Sequence, residues 1–295
     1  MNKSDTQASI AILLPYFGSW PFWIELFLAS CRKNPSIDFF FFSDCGRLES
    51  FPDNVKYQET SFDEYKALVS EKLGINFNPL SVYKLCDLKP AYGFIHEDVI
   101  RGYDFFGFGD LDLVYGDLRK LYTREDLRRY DLISNHATRV SGHLTLIRNT
   151  ERMSNAFRKI SGWQSLLASD EHLALDEKAF SRLFVKHKNF PGFLRRLCNL
   201  FYPLARRSKF VERYTTPNGY IAWRDGSYDF PEEWFWRNGV ISNSLDSEGY
   251  YPYFHFLVWK ENWTEQKPWR VKKTDQDVTY VFSASGIREL WMQNE

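Results

Sequence analysis

The stretch Phe105-Phe-Gly-Phe-Gly-Asp-Leu-Asp-Leu-Val114 carries the pattern from which the fold is inferred. Its apolar first half predicts a buried β-strand, because continuous hydrophobic runs are typical of strands covered on both faces. Asp110 and Asp112 follow where this strand ends, and in an extended chain residues i and i+2 point to the same side. Carboxylate oxygens at this spacing suit Mg²⁺ or Mn²⁺. The alternative is that both aspartates merely end the strand and begin a turn.

Around this stretch, short apolar runs alternate with segments of helical spacing. The predicted strands are 9–15, 37–42, 55–58, 131–134 and 143–148, and the predicted helices are 21–30, 62–73 and 84–98, the last interrupted near Pro90. Strands that alternate with helices predict an α/β sheet with crossover connections. Open sheets of this kind bind ligands at the carboxyl ends of their strands, which is where Asp110 is expected.

Composition excludes several classes of protein. The 295 residues suffice for one large α/β domain with an appendage. The formal net charge is zero, so no overall field would recruit a nucleic acid. The four cysteines show neither CxxC spacing nor a cluster, which predicts reduced thiols in a cytoplasmic protein rather than a zinc site or a disulfide framework. No apolar run approaches the length of a membrane span.

Residues 186–213 are strongly basic, with eight Lys or Arg and one acid, Glu212. Four apolar residues lie between the basic pairs at helical spacing: Leu197, Leu200, Phe201 and Leu204. This basic amphipathic segment is expected to separate a catalytic region, 1–185, from a C-terminal part, 214–295, of short strands and loops closed by a helix. It would lie either against an anionic membrane surface or, through the apolar stripe, against its own domain.

The order of these features resembles the GT-A glycosyltransferases, in which a DxD motif follows a nucleotide-binding half. A closer resemblance is to a family of bacterial proteins from polysaccharide gene clusters, and it rests on Pro15-Tyr-Phe-Gly18, Asp87-Leu-Lys-Pro-Ala-Tyr92, Gly109-Asp-Leu-Asp-Leu and Gly116-Asp117. It covers most of residues 9–150. It implies a GT-A-like (Rossmann-like) mixed sheet flanked by helices, with a mixed C-terminal extension. The implied activity is transfer of a hexose from a UDP-sugar to a bacterial surface glycan, such as lipopolysaccharide or another lipid-linked glycan.

The resemblance also implies a donor site. Its residues would be Pro15, Tyr16, Phe17, Asp44, Lys89, Tyr92, Asp110 and Lys260. Tyr16 or Phe17 would stack on the base, and Asp44 would contact the base or the ribose. Lys89 would neutralise phosphate. The alternatives are core packing for the aromatic rings, a turn or helix cap for Asp44, and a solvated surface position for Lys89.

A third metal ligand is implied by Tyr253-Phe-His255-Phe. With Lys260 after it, His255 resembles the late His-then-Lys element of retaining GT-A enzymes, in which the histidine ligates the metal and the lysine contacts the diphosphate. An imidazole ligand favours Mn²⁺ over Mg²⁺. The glycine and the Lys-Pro-Trp spacing of those enzymes are missing, although Lys267-Pro-Trp269 follows later. The alternative for His255 is packing within an aromatic cluster.

The candidate catalytic residues are Asp176, Glu177 and His143. His143 precedes a predicted strand and would line the cleft on the acceptor side. In an inverting enzyme a carboxylate at Asp176 or Glu177 would take the acceptor proton. In a retaining enzyme, slightly favoured by the resemblance of His255, it would orient the sugar or stabilise its positive charge. The alternative is a solvated helix face.

Two other functions stay open. A haloacid-dehalogenase-like phosphatase also places Asp-x-Asp after a strand, but usually after the first strand of the chain. A glycan-binding module on a degenerate transferase fold would use the abundant aromatic rings as stacking surfaces. It would bind sugars regardless of metal and nucleotide.

Overall fold

The computed structural model describes residues 7–186, 190–191, 193–194, 197–198, 201–217, 221–246, 249–263 and 278–291. Its strands are β1 Ile10–Pro15, β2 Ile37–Ser43, β3 Val55–Glu59, β4 Phe105–Gly109, β5 Leu113–Tyr115, β6 Leu132–Ser134, β7 Leu144–Arg148, β8 Ser208–Phe210, β9 Glu233–Arg237, β10 Val240–Asn243, β11 Tyr253–His255, β12 Val278–Ser283 and β13 Gly286–Trp291.

Among the described residues, two helices are longer than two turns: α1, Ile24–Arg32, and α2, Phe62–Leu73. The other helical segments are Val82–Lys84, Leu85–Leu88, Lys89–Ala91, Tyr92–Ile95, Leu118–Leu121, Arg124–Arg129, Glu151–Ser154, Ala156–Lys159, Trp163–Ala168, Asp176–Phe180, Ser181–Phe184, Pro203–Arg206 and Leu257–Lys260. The predicted interruption near Pro90 is present, because three short helical turns replace one continuous helix there.

The main sheet has seven strands in the order β3-β2-β1-β4-β7-β6-β8. Strands β1 to β4 run parallel, and β7 is antiparallel to both β4 and β6. Apolar clusters pack on both faces of the sheet. The predicted fold class, a mixed α/β sheet flanked by helices, is confirmed.

Glycines in β4 allow close packing of the neighbouring strands. A Cβ atom at Gly107 would lie 2.7 Å from the Ile12 side chain and 2.8 Å from the carbonyl oxygen of Thr145. One at Gly109 would lie 3.1 Å from the carbonyl oxygen of His143. Gly107 is therefore required by the sheet itself, and this packing places the end of β4 beside β1 and β7.

The C-terminal part forms an antiparallel sheet in the order β10-β9-β12-β13. The expectation of a final helix was wrong for the described residues, since β13 pairs along its whole length with β12. Gly286 begins β13 with a φ of 140°, a conformation that glycine adopts without strain, and this permits the tight turn after Ser283. Strand β11 belongs to a separate two-stranded sheet, in which it pairs with β5 beside the end of β4.

The basic segment is described only in part, and both Arg195-Arg196 and Lys267-Pro-Trp269 lie outside the described residues. Two members of its apolar stripe do not pack on the domain, since Leu197 is 54% exposed and Phe201 is 82% exposed. Its later residues form β8, which pairs with β6 at the edge of the main sheet. None of the helices among the described residues combines the length and the apolar character that a membrane span requires.

A buried ion pair fixes the segment that precedes Asp176. The side chains of Lys84 and Asp87 are fully buried and 3.0 Å apart. Asp87 accepts hydrogen bonds from the backbone N–H groups of Leu173 and Leu175, at 2.9 and 2.8 Å. The same carboxylate therefore neutralises a buried ammonium and anchors the chain that leads to Asp176.

Asp87→Ala is expected to reduce the free energy of unfolding by about 3–5 kcal/mol, because it leaves the buried Lys84 ammonium without its carboxylate. Urea denaturation measures this change. Asp98→Ala is the matched control, since it removes an exposed partner of Lys72 and should have a much smaller effect. Equal denaturation midpoints for Asp87→Ala and the wild type would contradict the anchoring role.

Candidate active site

A cavity of about 540 Å³ opens at the carboxyl ends of β1 and β4, within the usual range for small-molecule sites. The predicted site residues that line it are Pro15, Tyr16, Phe17, Lys89, Tyr92, Asp110, Asp112, His143, Asp176, Glu177, His255 and Lys260. Asp44 is not among the lining residues. The fold thus brings side chains from both halves of the chain into one cavity.

A possible metal-binding cluster consists of Asp110, Asp112 and His255, whose ligand atoms all lie within 4.8 Å of one another. The pairing of β5 with β11 creates it. His255 is opposite Leu113 in this register, and the N–H of Phe256 donates to the carbonyl oxygen of Asp112 at 3.1 Å. His255 is therefore brought to the end of β4 by a short two-stranded sheet, although it is far from Asp110 and Asp112 in the sequence.

Two ligand atoms in this cluster lack hydrogen-bond partners. Asp112 Oδ1 and His255 Nε2 are buried, 3.5 Å apart, and neither forms a hydrogen bond to the described residues. Buried polar atoms are rarely left unsatisfied. The other ring nitrogen, His255 Nδ1, is 3.0 Å from the hydroxyl of Thr216. A contact of this kind fixes the ring orientation and leaves Nε2 free for a metal.

Two lysines neutralise the aspartates. Lys89 Nζ donates to Asp110 Oδ1 at 2.5 Å and to the carbonyl oxygen of Gly142 at 3.0 Å. Lys260 Nζ donates to Asp112 Oδ2 at 2.7 Å. Burial raises the pKa of Asp112, but His255 and Lys260 lower it, and the net direction is downward. Burial lowers the pKa of Lys89, yet Asp110 and other nearby groups raise it overall, so the ammonium stays charged.

Asp176 and Glu177 approach the cavity beside Gly142. A Cβ atom at Gly142 would lie 2.8 Å from Asp176 Oδ2, 3.5 Å from Glu177 Oε1 and 3.7 Å from Lys89 Nζ. Asp176 is only 3% exposed, so it is not part of a solvated helix face. Burial raises the pKa of Asp176 to about 7, although Lys89 acts in the opposite direction. Glu177 is more exposed and pairs with Arg139 at 3.3 Å.

His143 is held by other aromatic residues. Its ring stacks on His255 with a centroid distance of 4.3 Å, and its Nε2 is 2.8 Å from the hydroxyl of Tyr253. Burial, followed by the neighbouring His255, lowers the pKa of His143 well below its usual value. A neutral ring in this position supports His255 from behind.

The residues that follow β1 contribute partly to the cavity lining and partly to the hydrophobic core. Tyr16 stacks on Trp20 with an interplanar angle of 4°, and burial raises the pKa of Tyr16 to about 12. Phe17 is buried against Tyr65. Asp44 accepts the N–H of Gly18 at 2.7 Å, and this bond holds the loop that follows β1. Tyr92 is also buried, and its hydroxyl donates to the carbonyl oxygen of Leu85.

Sequence reasoning missed several residues of this site. Arg139 contacts Glu177 and Thr216 contacts His255, and Gly142 leaves room beside it for the Asp176 carboxylate and the Lys89 ammonium. Gly142 immediately precedes His143, the candidate residue on the acceptor side. Arg139 and Thr216 lie in loops without a recognisable motif.

The sequence model of DUF6625, described as a family of unknown function, matches residues 12–280. This chain belongs to DUF6625. A comparison of the DUF6625 chain with curated proteins finds no match.

Solved structures that resemble the DUF6625 chain include glycosyltransferases. An active-site mutant of the galactosyltransferase LgtC aligns over 90% of this chain and 91% of its own, with 11% identity and a TM-score of 0.42. Mouse xyloside xylosyltransferase 1 aligns over 85% and 98%, with 10% identity and a TM-score of 0.37. The glycosyltransferase GlyE of Streptococcus pneumoniae aligns over 71% and 46%, with 12% identity and a TM-score of 0.32. The DUF6625 chain spans less than half of the GlyE chain.

Proposed function

We propose that this protein is a metal-dependent glycosyltransferase that moves a hexose from a nucleotide diphosphate sugar to a glycan acceptor. The observation that carries the proposal is a pair of buried ligand atoms beside Asp110, Asp112 Oδ1 and His255 Nε2, which lie 3.5 Å apart and form no hydrogen bond to the described residues. Carboxylate and imidazole ligands suit a divalent cation, and Mn²⁺ accepts imidazole more readily than Mg²⁺ does. When bound, the cation would offset the negative charge that develops on the departing diphosphate.

The two lysines suit a diphosphate. Lys89 and Lys260 approach the cluster from different elements, and each is paired with one aspartate. A divalent cation at the aspartates would replace the ammonium groups as counter-charges, and the lysines could then contact phosphate oxygens. The base and ribose would lie near Pro15, Tyr16 and Phe17. We propose UDP as the nucleotide. Asp44 would act at this end of the site by accepting the N–H of Gly18, which holds the loop after β1 in place.

Asp176 and Glu177 would face the sugar. They enter the cavity beside Gly142 and Lys89, on the same side as Asp110. We propose retention of the anomeric configuration. A carboxylate here would then orient the sugar and stabilise its developing positive charge. In an inverting reaction the same group would instead accept the proton of the acceptor hydroxyl.

The acceptor would be a bacterial surface glycan, free or lipid-linked, and the protein would act in the cytoplasm or at the inner face of the membrane. His143 lies behind His255 and would act through that ring. Tyr83 and His172, whose rings are 4.4 Å apart, also line the cavity, and Tyr83 is largely exposed. Aromatic faces of this kind suit the C–H surface of a sugar.

A thermal-shift titration with UDP, GDP and CMP, each with and without Mn²⁺, tests the proposal. We expect one nucleotide, UDP, to raise the melting temperature only when Mn²⁺ is present, because a ligand of the native state stabilises it. Asp110→Ala should abolish this shift. Stabilisation by a sugar alone, with no response to nucleotide or metal, would indicate the glycan-binding module instead. A covalent phosphate adduct on Asp110 would indicate the phosphatase.

A further inference from the structure

A second cavity, of about 480 Å³, is lined by the helical segment that also carries Asp176 and Glu177. Those two residues face the first cavity, whereas Lys178, Ala179, Arg182 and Leu183 line the second. The other apolar lining residues are Ile160, Leu166, Leu173 and Leu175. This cavity has an apolar floor that the proposed transfer reaction does not use.

The rim of this cavity is positively charged. Lys159, Lys178, Arg182 and Lys186 surround it, and none of the described lining residues is acidic. Among the described residues, Lys159, Lys178 and Arg182 have no ion-pair partner. Cations without counter-charges beside apolar side chains suit an anionic ligand that also has an apolar part.

Exposed apolar side chains continue from this rim. Lys186 belongs to the cavity, and its Nζ lies 5.7 Å from the ring centroid of Tyr202. Phe201, next to Tyr202 in the chain, is 82% exposed, and Phe193, elsewhere in the same basic segment, is 66% exposed. Large apolar residues exposed together on one basic segment are typical of surfaces that meet a partner or a membrane.

We infer that this second cavity binds an anionic phospholipid at a membrane surface. The rim cations contact the lipid phosphate, and the apolar floor accommodates the adjoining part of an acyl chain. The exposed side chains of the basic segment enter the interface beside it. A soluble phosphate would contact the same cations but would not use the apolar floor or Phe201, so the observations favour a lipid. This binding is separate from sugar transfer and needs neither nucleotide nor metal.

The test is flotation of the full chain with phosphatidylglycerol or phosphatidylcholine vesicles, without nucleotide. We expect the wild type to float only with phosphatidylglycerol. The double variant Lys178→Ser/Arg182→Ser should partition roughly twenty-five-fold more weakly, since each basic residue near an anionic surface contributes about a factor of five. Arg47→Ser/Arg128→Ser removes the same charge from exposed positions outside the cavity and should float like the wild type.

Equal flotation of the cavity variant and the wild type would overturn the inference, as would equal loss in both double variants. Wild-type flotation with neither vesicle, or with both alike, would also overturn it. If millimolar inorganic phosphate released the wild type while equal ionic strength from chloride did not, the site would be one for a soluble anion. Because no outcome depends on UDP or Mn²⁺, failure here leaves the proposed transfer reaction unaffected.

Discussion

Asp112→Asn is expected to abolish the Mn²⁺-dependent thermal shift and to lower sugar transfer by about a thousandfold or more. Asp112 contributes a buried oxygen that has no hydrogen-bond partner among the described residues and lies 3.5 Å from His255 Nε2, and a neutral amide supplies less charge to a divalent cation. Loss of a catalytic cation removes several kcal/mol of transition-state stabilisation, which corresponds to this loss in rate. Ligand-induced melting shifts and initial transfer rates measure the two effects.

The unliganded variant should itself melt at a lower temperature. The pKa of Asp112 is lowered in the folded state, so its ionised form stabilises the protein at neutral pH. Each variant must therefore be compared with and without ligand. Asp117→Asn is the control, since Asp117 caps the Leu118–Leu121 turn through an oxygen that asparagine retains. A normal Mn²⁺ shift in Asp112→Asn would remove Asp112 from the proposed ligand set.

The local part of this site could be predicted from the sequence. Continuous apolar runs identified β1 and β4, and the position of Asp110 at the end of β4 followed from the same run. The presence of His255 in the possible metal-binding cluster could not be predicted from the residues around it. It depends on the pairing of β11 with β5, which the stretch around His255 does not encode, and only the resemblance to a known element suggested it. The hydroxyl of Thr216, which fixes that ring, had no signal in the sequence.

The surroundings of charged side chains were harder to predict from the sequence than the helices and strands were. A lone lysine in a sequence is usually solvated. Lys89 is instead 5% exposed, and its burial depends on Gly142, which comes from another loop. The basic segment is a second example, because its helical spacing left open whether the apolar stripe meets a membrane or its own domain, and in the structure Leu204 packs against the core whereas Phe201 is exposed. Periodicity identifies which residues share a face, but not what covers that face.

Asp176→Asn should lower the transfer rate by about 10²- to 10⁴-fold and remove a pH dependence of the wild type. The ionised carboxylate is the form that stabilises a positive sugar or accepts a proton. Burial raises the pKa of Asp176 to about 7. The wild-type rate should therefore rise about tenfold per pH unit below pH 7 and level off above it. The residual rate of the variant should lack this rise. A wild-type profile that is flat between pH 5 and pH 8 would exclude Asp176 from the reaction.

Asp176→Asn should be more stable than the wild type at pH 8, although its transfer activity should be lower. The folded-state pKa of Asp176 is higher than the value near 3.9 of an unfolded aspartate, so the folded state binds the proton more tightly. Stability is therefore lost as the pH rises from about 4 to about 7, and the asparagine variant escapes this loss. We expect the variant to melt roughly 5 °C above the wild type at pH 8 and near it at pH 4. A variant that is both inactive and less stable at pH 8 would indicate that Asp176 supports the fold. Lower activity together with higher stability would indicate that Asp176 serves the reaction at a cost in stability.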